Sequence, residues 1–367
     1  MLELPLAPYL HWAKTRQAAA IDLAGSNLLP CTLDDLPGAA SALQLTAPND
    51  NGYAPLIRAI ADHYGVSSYR VVTAAGCSGA NFVTVAALVG AGDHVLLEQP
   101  AYDPLWAACA VLGARIDRFE RLFARGYRVN LDELAGRVTP ATRLIIVSTP
   151  HNPSGAELDR ATLDGLGRLA ASVGAHVLVD EVYLDAANLV RGDRPTAMSA
   201  ARLDGPFVVT NSLTKSYGLP GLRSGWAIAP TPAVAERLRR TRDVVDNLSS
   251  APADRLAALA FQHLAALGER ARRLLGENLD RAKRFLAIHP ELEVGVLPAA
   301  SVIFPRIAGC ADAEPFVEHL RARHGVAVAP GRFFDAPAHF RVSLAGRTDA
   351  LEAGLARLGP ALRESWR

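Results

Sequence analysis

The sequence predicts an α/β protein: a seven-stranded, mostly parallel sheet with helices on both faces, joined to a smaller α+β domain. Two observations support this prediction. Between positions 71 and 229, seven short apolar runs alternate with stretches of helical periodicity, which is the pattern of parallel strands connected by helices. After position 232 the periodicity becomes mainly helical, with three further strand-like runs.

The individual elements follow from local patterns. Before the sheet we predict a short strand at 21–23 and, after a turn cluster rich in Asn, Gly and Pro, a helix at 56–64. Apolar runs predict the sheet strands at 71–75, 94–98, 115–119, 143–148, 176–181, 207–212 and 226–229. Apolar residues at three- and four-residue spacing predict helices between them at 80–89, 102–112, 132–137 and 160–173.

The remainder of the chain reads as a second domain. Helices are predicted at 233–245, 253–287, 313–324 and 349–362, and strands at 293–297, 302–307 and 340–344. We therefore expect a large domain at 38–245, and a small domain formed by 1–37 and 246–367 that includes a linker helix.

The composition is that of a soluble globular chain, since half of the 367 residues are hydrophobic and a fifth are charged. The formal net charge of +1 predicts neither a nucleic-acid nor a membrane partner. No apolar run approaches the roughly 20 residues of a membrane span. Four widely spaced cysteines disfavour disulfides and a metal site, and Pro5 and Pro8 interrupt any signal peptide. We expect a cytoplasmic protein.

Polar residues follow several predicted strands, at the sheet edge where ligands bind in such folds. After the first strand, Gly76 opens a turn into a helix, and Cys77 and Ser78 follow it. Backbone N–H groups at such a helix start, with the Ser78 hydroxyl, would suit a phosphate. Glycine turns of this kind also occur for steric reasons alone.

Four more candidate ligand-binding residues lie after the second, fourth and fifth strands. Tyr102 could stack on a planar ligand or simply pack at a helix start. Asn152 stands in a tight Pro-His-Asn-Pro turn whose Asn–Pro bond is a candidate cis peptide. Asp180 ends an apolar run, so its carboxylate should be buried and in need of a partner such as a protonated ring nitrogen. Tyr183 could donate a hydrogen bond to the same ligand.

After the sixth strand comes Lys215, flanked by Ser212 and Arg223. A lysine in a tight, hydroxyl-lined turn is a candidate covalent nucleophile, although the stretch alone also fits a charged surface loop. Together these groups form a site for pyridoxal 5′-phosphate. In chain order they are a phosphate cradle, a stacking aromatic, a buried acid, a lysine and an arginine.

Four motifs carry a family resemblance. They are Ser-Leu-Thr-Lys-Ser-Tyr-Gly-Leu-Pro-Gly-Leu-Arg at 212–223, Pro-His-Asn-Pro-Ser-Gly at 150–155, Asp-Glu-Val-Tyr at 180–183 and Phe-Arg-Val-Ser at 340–343. From about residue 21 to its end, the chain resembles the fold-type I pyridoxal-phosphate-dependent enzymes, within the class I/II aminotransferases.

The resemblance implies a role for each candidate. Lys215 would form the Schiff base and carry the proton, and Asp180 would pair with the pyridinium nitrogen. Asn152 and Tyr183 would bind the ring 3-oxygen, and Tyr102 would stack on the ring. The phosphate would be held by Gly76, Cys77, Ser78, Ser212 and Arg223.

The resemblance also implies substrate and partner contacts. Arg341 would bind the substrate α-carboxylate as a bidentate fork, and Asn152 would also contact the substrate. Tyr53 would reach the phosphate of a neighbouring copy, which implies a homodimer with a shared active site. We find no second arginine for a side-chain carboxylate, so a dicarboxylate substrate is disfavoured.

The expected activity is transfer of an amino group between an L-amino acid and a 2-oxo acid. The same scaffold also supports elimination or replacement, cyclisation of an activated amino acid, decarboxylation and oxidation, because the motifs bind atoms common to all these reactions. A non-catalytic binding module is disfavoured, since the chain has no basic extension and no DNA-binding helix pair.

Overall fold

The computed structural model describes residues 7–192, 196–296 and 301–366. Its first eight strands are β1 (Ile21–Asp22), β2 (Val71–Ala75), β3 (His94–Gln99), β4 (Arg115–Glu120), β5 (Thr142–Ser148), β6 (His176–Asp180), β7 (Phe207–Ser212) and β8 (Ser224–Ile228). The later strands are β9 (Leu292–Glu293), β10 (Val302–Ile303), β11 (Arg306–Ile307), β12 (Val326–Ala327), β13 (Ala329–Pro330) and β14 (Phe340–Ser343).

The α-helices accompany these strands along the chain. The first seven are α1 (Pro8–Thr15), α2 (Ala39–Ala42), α3 (Ala54–Tyr64), α4 (Gly76–Leu88), α5 (Asp103–Val111), α6 (Leu131–Ala135) and α7 (Arg160–Ser172). The rest are α8 (Leu184–Leu189), α9 (Thr214–Tyr217), α10 (Pro232–Val245), α11 (Ala251–Gln262), α12 (Leu264–Ala287), α13 (Glu314–His324) and α14 (Thr348–Leu362). None of the described helices is both long and apolar enough to cross a membrane.

Strands β2 to β8 form one sheet in the order β2-β8-β7-β6-β5-β3-β4. All neighbouring pairs are parallel except those of β8, which runs antiparallel to both β2 and β7. The predicted seven-stranded, mostly parallel sheet is therefore confirmed.

Alternating side chains of the central strands bury both faces of this sheet. In β5, Leu144 and Ile146 pack into a core shared with α4, α5 and α10. Ile145 and Val147 face the other way, into a core shared with α3, α7 and α11. Because successive residues of a strand point to opposite faces, a strand covered on both sides reads as the continuous apolar run seen in the sequence.

A separate core joins the two ends of the chain. Ile21 and Leu23 pack with apolar residues between positions 279 and 361, including Phe316 and Phe340, and β1 pairs with β12 in parallel. Strand β14 lies between β10 and β13. This arrangement agrees with an α+β unit built from both termini, while the domain boundaries at 38 and 245 stay a prediction.

Three predicted elements differ in detail. The helix expected at 253–287 is two helices, because the backbone turns at His263 (φ −112°, ψ 13°). The strand expected at 302–307 is split into β10 and β11, with Pro305, which cannot donate a ladder hydrogen bond, between them. The strand expected at 293–297 is much shorter: β9 covers only Leu292–Glu293, residues 294–296 are not in a strand, and position 297 lies outside the described residues.

Candidate active site

A cavity of about 670 Å³ opens at the carboxyl edge of the sheet. The strand register explains its position, since Ser148 at the end of β5 pairs with Asp180 at the end of β6, and Asp180 pairs with Thr210 of β7. Parallel strands thus deliver their last residues to one edge. The predicted residues that line the cavity are Cys77, Ser78, Tyr102, Asn152, Asp180, Tyr183, Ser212, Lys215 and Arg223.

Asp180 is buried in the cavity wall and is held by three donors. Its carboxylate accepts hydrogen bonds from Asn81 Nδ2 (2.8 Å), the Val182 backbone N–H (3.0 Å) and the Cys77 thiol (3.4 Å). Asn81 is itself fixed by the Thr210 hydroxyl, which donates to its Oδ1 at 2.6 Å. Burial raises the pKa of Asp180, and the Asn81 hydrogen bond opposes that rise. A cationic N–H in the cavity would stabilise the ionised form.

Lys215 lies in α9, the short helix directly after β7. Its Nζ donates to Ser26 Oγ at 2.9 Å and to Asn27 Oδ1 at 2.6 Å. The amine faces the cavity but is surrounded by protein, and this desolvation, helped by the positive charge of Arg341, lowers the pKa of Lys215 to about 7. A large fraction of the amine is therefore neutral near pH 7, as a nucleophile or base requires.

Two tyrosines, Tyr183 and Tyr102, line the cavity together with Lys215 and Asp180. The ring centre of Tyr183 is 5.9 Å from Lys215 Nζ. The Tyr183 hydroxyl is buried and has no hydrogen-bond partner among the described residues, and burial raises its pKa to about 12. It is therefore a neutral donor in need of an acceptor. Tyr102 stands at the start of α5 with its side chain on the cavity wall.

The start of α4 forms a tight cradle with Arg223. Gly76 has φ +74°, and a Cβ placed there would lie 2.4 Å from Arg223 Nη2. Arg223 also has a positive φ of +48° and donates to the Ala75 carbonyl at 3.2 Å. Only glycine allows the guanidinium to approach the helix start this closely. Ser78 and Ser212 also line the cavity.

Arg341 lies behind the cavity wall, fully buried in β14. Its guanidinium donates to Asn152 Oδ1 (2.9 Å), the Tyr9 hydroxyl (2.6 Å) and the Ala24 carbonyl (3.1 Å). Its Nε has no hydrogen-bond partner, and no carboxylate forms an ion pair with it within the described parts of the chain. A buried cation without an acidic partner is suited to a ligand carboxylate.

Tyr53 does not line this cavity. It stands before α3, where its hydroxyl accepts a hydrogen bond from Arg255 Nη1 at 3.3 Å. The turn at 149–153 also differs from the sequence prediction, because the bond that is cis there is Thr149–Pro150. Among the described residues, Gln99–Pro100 is cis as well. The prediction of a cis bond before Pro153 was wrong.

Comparison with known proteins identifies the family. The model of the family described as "Aminotransferase class I and II" matches residues 24–358. The chain belongs to this aminotransferase family.

Three relatives of this aminotransferase illustrate the range of the family. Capreomycidine synthase of Streptomyces vinaceus is 33% identical over 98% of this chain and 94% of its own. A PLP-dependent aminotransferase from Streptococcus suis has a TM-score of 0.90 at 28% identity, covering 99% of this chain and 98% of that one. The PLP-dependent cyclase OrfR has a TM-score of 0.86 at 26% identity, with the same coverage. The predicted family, fold and enzyme class are confirmed.

Four further residues of the aminotransferase, not predicted from the sequence, contact the predicted site residues. Tyr9, Ser26 and Asn27 come from the N-terminal segment, whose patterning is weak. Asn81 had a usable signal, because it lies four residues after Cys77 on the same face of α4. Cys77 and Asn81 both contact Asp180.

Proposed function

We propose that the protein binds pyridoxal 5′-phosphate in this cavity and transfers an amino group between an L-amino acid and a 2-oxo acid. The observation that carries the proposal is the convergence of Lys215, Asp180 and Arg223 on one cavity. These residues offer a partly neutral amine, a buried carboxylate and a cation beside a helix start. Each suits a different part of the cofactor.

Three observations support the fit of the cofactor. The unpartnered Tyr183 hydroxyl would donate to the ring 3-oxygen, beside Asn152. The Gly76 turn and Arg223, with Ser78 and Ser212 nearby, provide the donors that a phosphate needs. The buried carboxylate of Asp180 would pair with a ring N–H. When bound, the cofactor supplies a ring that accepts the electrons of the substrate α-carbon.

The protein residues would then bind, orient and move a proton. Arg341 would hold the α-carboxylate, and its hydrogen bond to Asn152 fixes the orientation of both side chains. Lys215 would carry the covalent link and move the proton at the α-carbon, for which a pKa of about 7 is suitable. Asp180 would keep the ring nitrogen protonated.

We also propose a homodimer with a shared site. Several large apolar side chains are exposed in one copy, including Leu45 (86%) in the segment before Tyr53 and Val244 (87%) in α10. Their segments are held together by Asn49 Nδ2, which donates to the Ser249 carbonyl at 2.7 Å. A second copy would cover this surface and receive Tyr53. The solution mass would test this, and a monomer would contradict it. The cytoplasmic location stays a prediction.

A second candidate is an amino-acid cyclase. The similarity to capreomycidine synthase over almost the whole chain and to a PLP-dependent cyclase favours it. The residues described above would serve both reactions, because they bind the cofactor and the α-carboxylate rather than the substrate side chain.

Spectroscopy and a panel of amino acids test the proposal. The purified protein should show a visible absorbance band that borohydride abolishes; the absence of such a band contradicts the cofactor assignment. The band should be lost in Lys215→Ala and retained in Lys283→Ala, a control on the exposed face of α12. In transamination, an amino acid removes the band and a 2-oxo acid restores it. A product formed without any 2-oxo acid would instead support the cyclase.

A further inference from the structure

The Lys215 amine is held by a loop that is remote in sequence. Ser26 and Asn27 follow β1, 189 and 188 residues before Lys215, and both line the same cavity. The Ser26 side chain is buried, and its Oγ lies 2.9 Å from Lys215 Nζ, while Asn27 Oδ1 lies 2.6 Å from it. The amine thus has two acceptors, both from one loop.

The number of hydrogen bonds that a neutral amine can donate determines how these two acceptors orient Lys215. A neutral lysine has two N–H donors and one lone pair, and an amide oxygen can only accept. If Ser26 and Asn27 accept the two N–H groups, the remaining direction at Nζ holds the lone pair. We propose that Ser26 and Asn27 are positioning residues that hold the free Lys215 amine with its lone pair towards the substrate α-carbon. This role rests on the proposed function.

The loop itself is fixed on both sides. The Leu23 N–H donates to the Ala327 carbonyl (2.8 Å), and the Leu23 carbonyl accepts from the Ser343 N–H (2.8 Å). Beyond the loop, the Leu29 N–H donates to the Ala345 carbonyl at 2.7 Å. Ser343 ends β14, the strand that carries Arg341. The two acceptors of Lys215 and the cation for the α-carboxylate are therefore set on one rigid frame.

The charged groups around Lys215 influence its pKa, and they must be considered before the effect of each substitution on that pKa is predicted. Asp180 and Cys77 favour the ammonium form, whereas Arg341 and Arg223 disfavour it. The ring of Tyr183 faces the amine as well. The acceptors Ser26 Oγ and Asn27 Oδ1 also favour the ammonium form of Lys215, so removing either one should lower the Lys215 pKa. A carboxylate in place of the Asn27 amide should raise it.

The test reads the lysine directly in cofactor-free protein. The sequence has three lysines, Lys14, Lys215 and Lys283, so biosynthetic incorporation of ¹³Cε-labelled lysine gives a spectrum simple enough to titrate by NMR and leaves the N–H donors of Lys215 in place. We expect the Lys215 pKa to fall in Asn27→Ala and Ser26→Ala and to rise by about 1 unit or more in Asn27→Asp. Asn130→Asp is the matched control, because it adds the same charge at the first turn of α6, away from the cavity.

A second measurement uses the cofactor-loaded enzyme. With a Cα-deuterated amino acid, Asn27→Ala should slow proton removal and enlarge the isotope effect on kcat, with little change in KM. An unchanged Lys215 pKa in both Asn27 variants would overturn the proposal, and so would an unchanged isotope effect. The titration does not need turnover, so it separates failure of this inference from failure of the proposed function.

Discussion

The buried ion pair between Glu98 and Arg121 leads to a quantitative prediction. Glu98 Oε2 accepts from Arg121 Nη1 at 2.7 Å, and Oε1 accepts from the Ser148 N–H (2.7 Å) and hydroxyl (2.5 Å). Both charged side chains are fully buried. In Glu98→Ala the Arg121 cation would remain buried without its acidic partner, which costs about 3–5 kcal/mol of unfolding free energy.

Denaturant unfolding at a constant m-value measures this loss. The matched control is Glu133→Ala, which removes the exposed pair with Arg137 (side chains 33% and 43% exposed) and should cost less than about 1 kcal/mol. Because part of the loss reflects an uncompensated charge, the double variant Glu98→Leu with Arg121→Met should recover that part. The recovery should be incomplete, since the Ser148 N–H and hydroxyl and the Tyr127 carbonyl lose buried hydrogen-bond partners. Equal losses in Glu98→Ala and Glu133→Ala, or no recovery in the double variant, would refute this reasoning.

Two further predictions concern the cavity. Gly76→Ala places a Cβ against Arg223 at a positive φ, so cofactor affinity measured by titration should fall about 10-fold or more, whereas Gly221→Ala, with no heavy atom nearby, should leave it unchanged. Lys215→Met should stabilise the cofactor-free protein below pH 7 by up to about 5 kcal/mol. The low pKa of Lys215 penalises its charged form, so this advantage should shrink from pH 7 to about pH 10.5 in unfolding experiments; an advantage independent of pH would contradict it.

The half of the site built on the sheet could be predicted from sequence. Asp180 and Ser212 end apolar runs, and parallel strands bring such ends together, so their proximity follows from topology alone. Lys215 could be placed in the same way, because it lies three residues after the end of β7. Gly76 was predictable as a tight turn, although its contact with Arg223 was not.

The half that faces the substrate could not be predicted from spacing. The contact between Tyr9 and Arg341 spans 332 residues, and no periodicity encodes such a pairing. Ser26 and Asn27 lie in a loop whose position depends on backbone hydrogen bonds to residues 327, 343 and 345. Arg341 was placed only through the family resemblance, since an arginine in a strand has no distinctive local pattern.

The reversed direction of β8 has a consequence for the order in which the site assembles. Because β8 is antiparallel, its first residue, Ser224, pairs with Ala75 at the same edge where Ser212 ends β7. One continuous segment, 212–224, thus supplies both the reactive amine and the arginine of the phosphate cradle. Local contacts form sooner in folding than distant ones. The segment 212–224 should therefore be native-like early. The contacts that complete the site, from Arg223 to the helix start at Gly76 and from Arg341 to Tyr9, wait until distant parts of the chain meet.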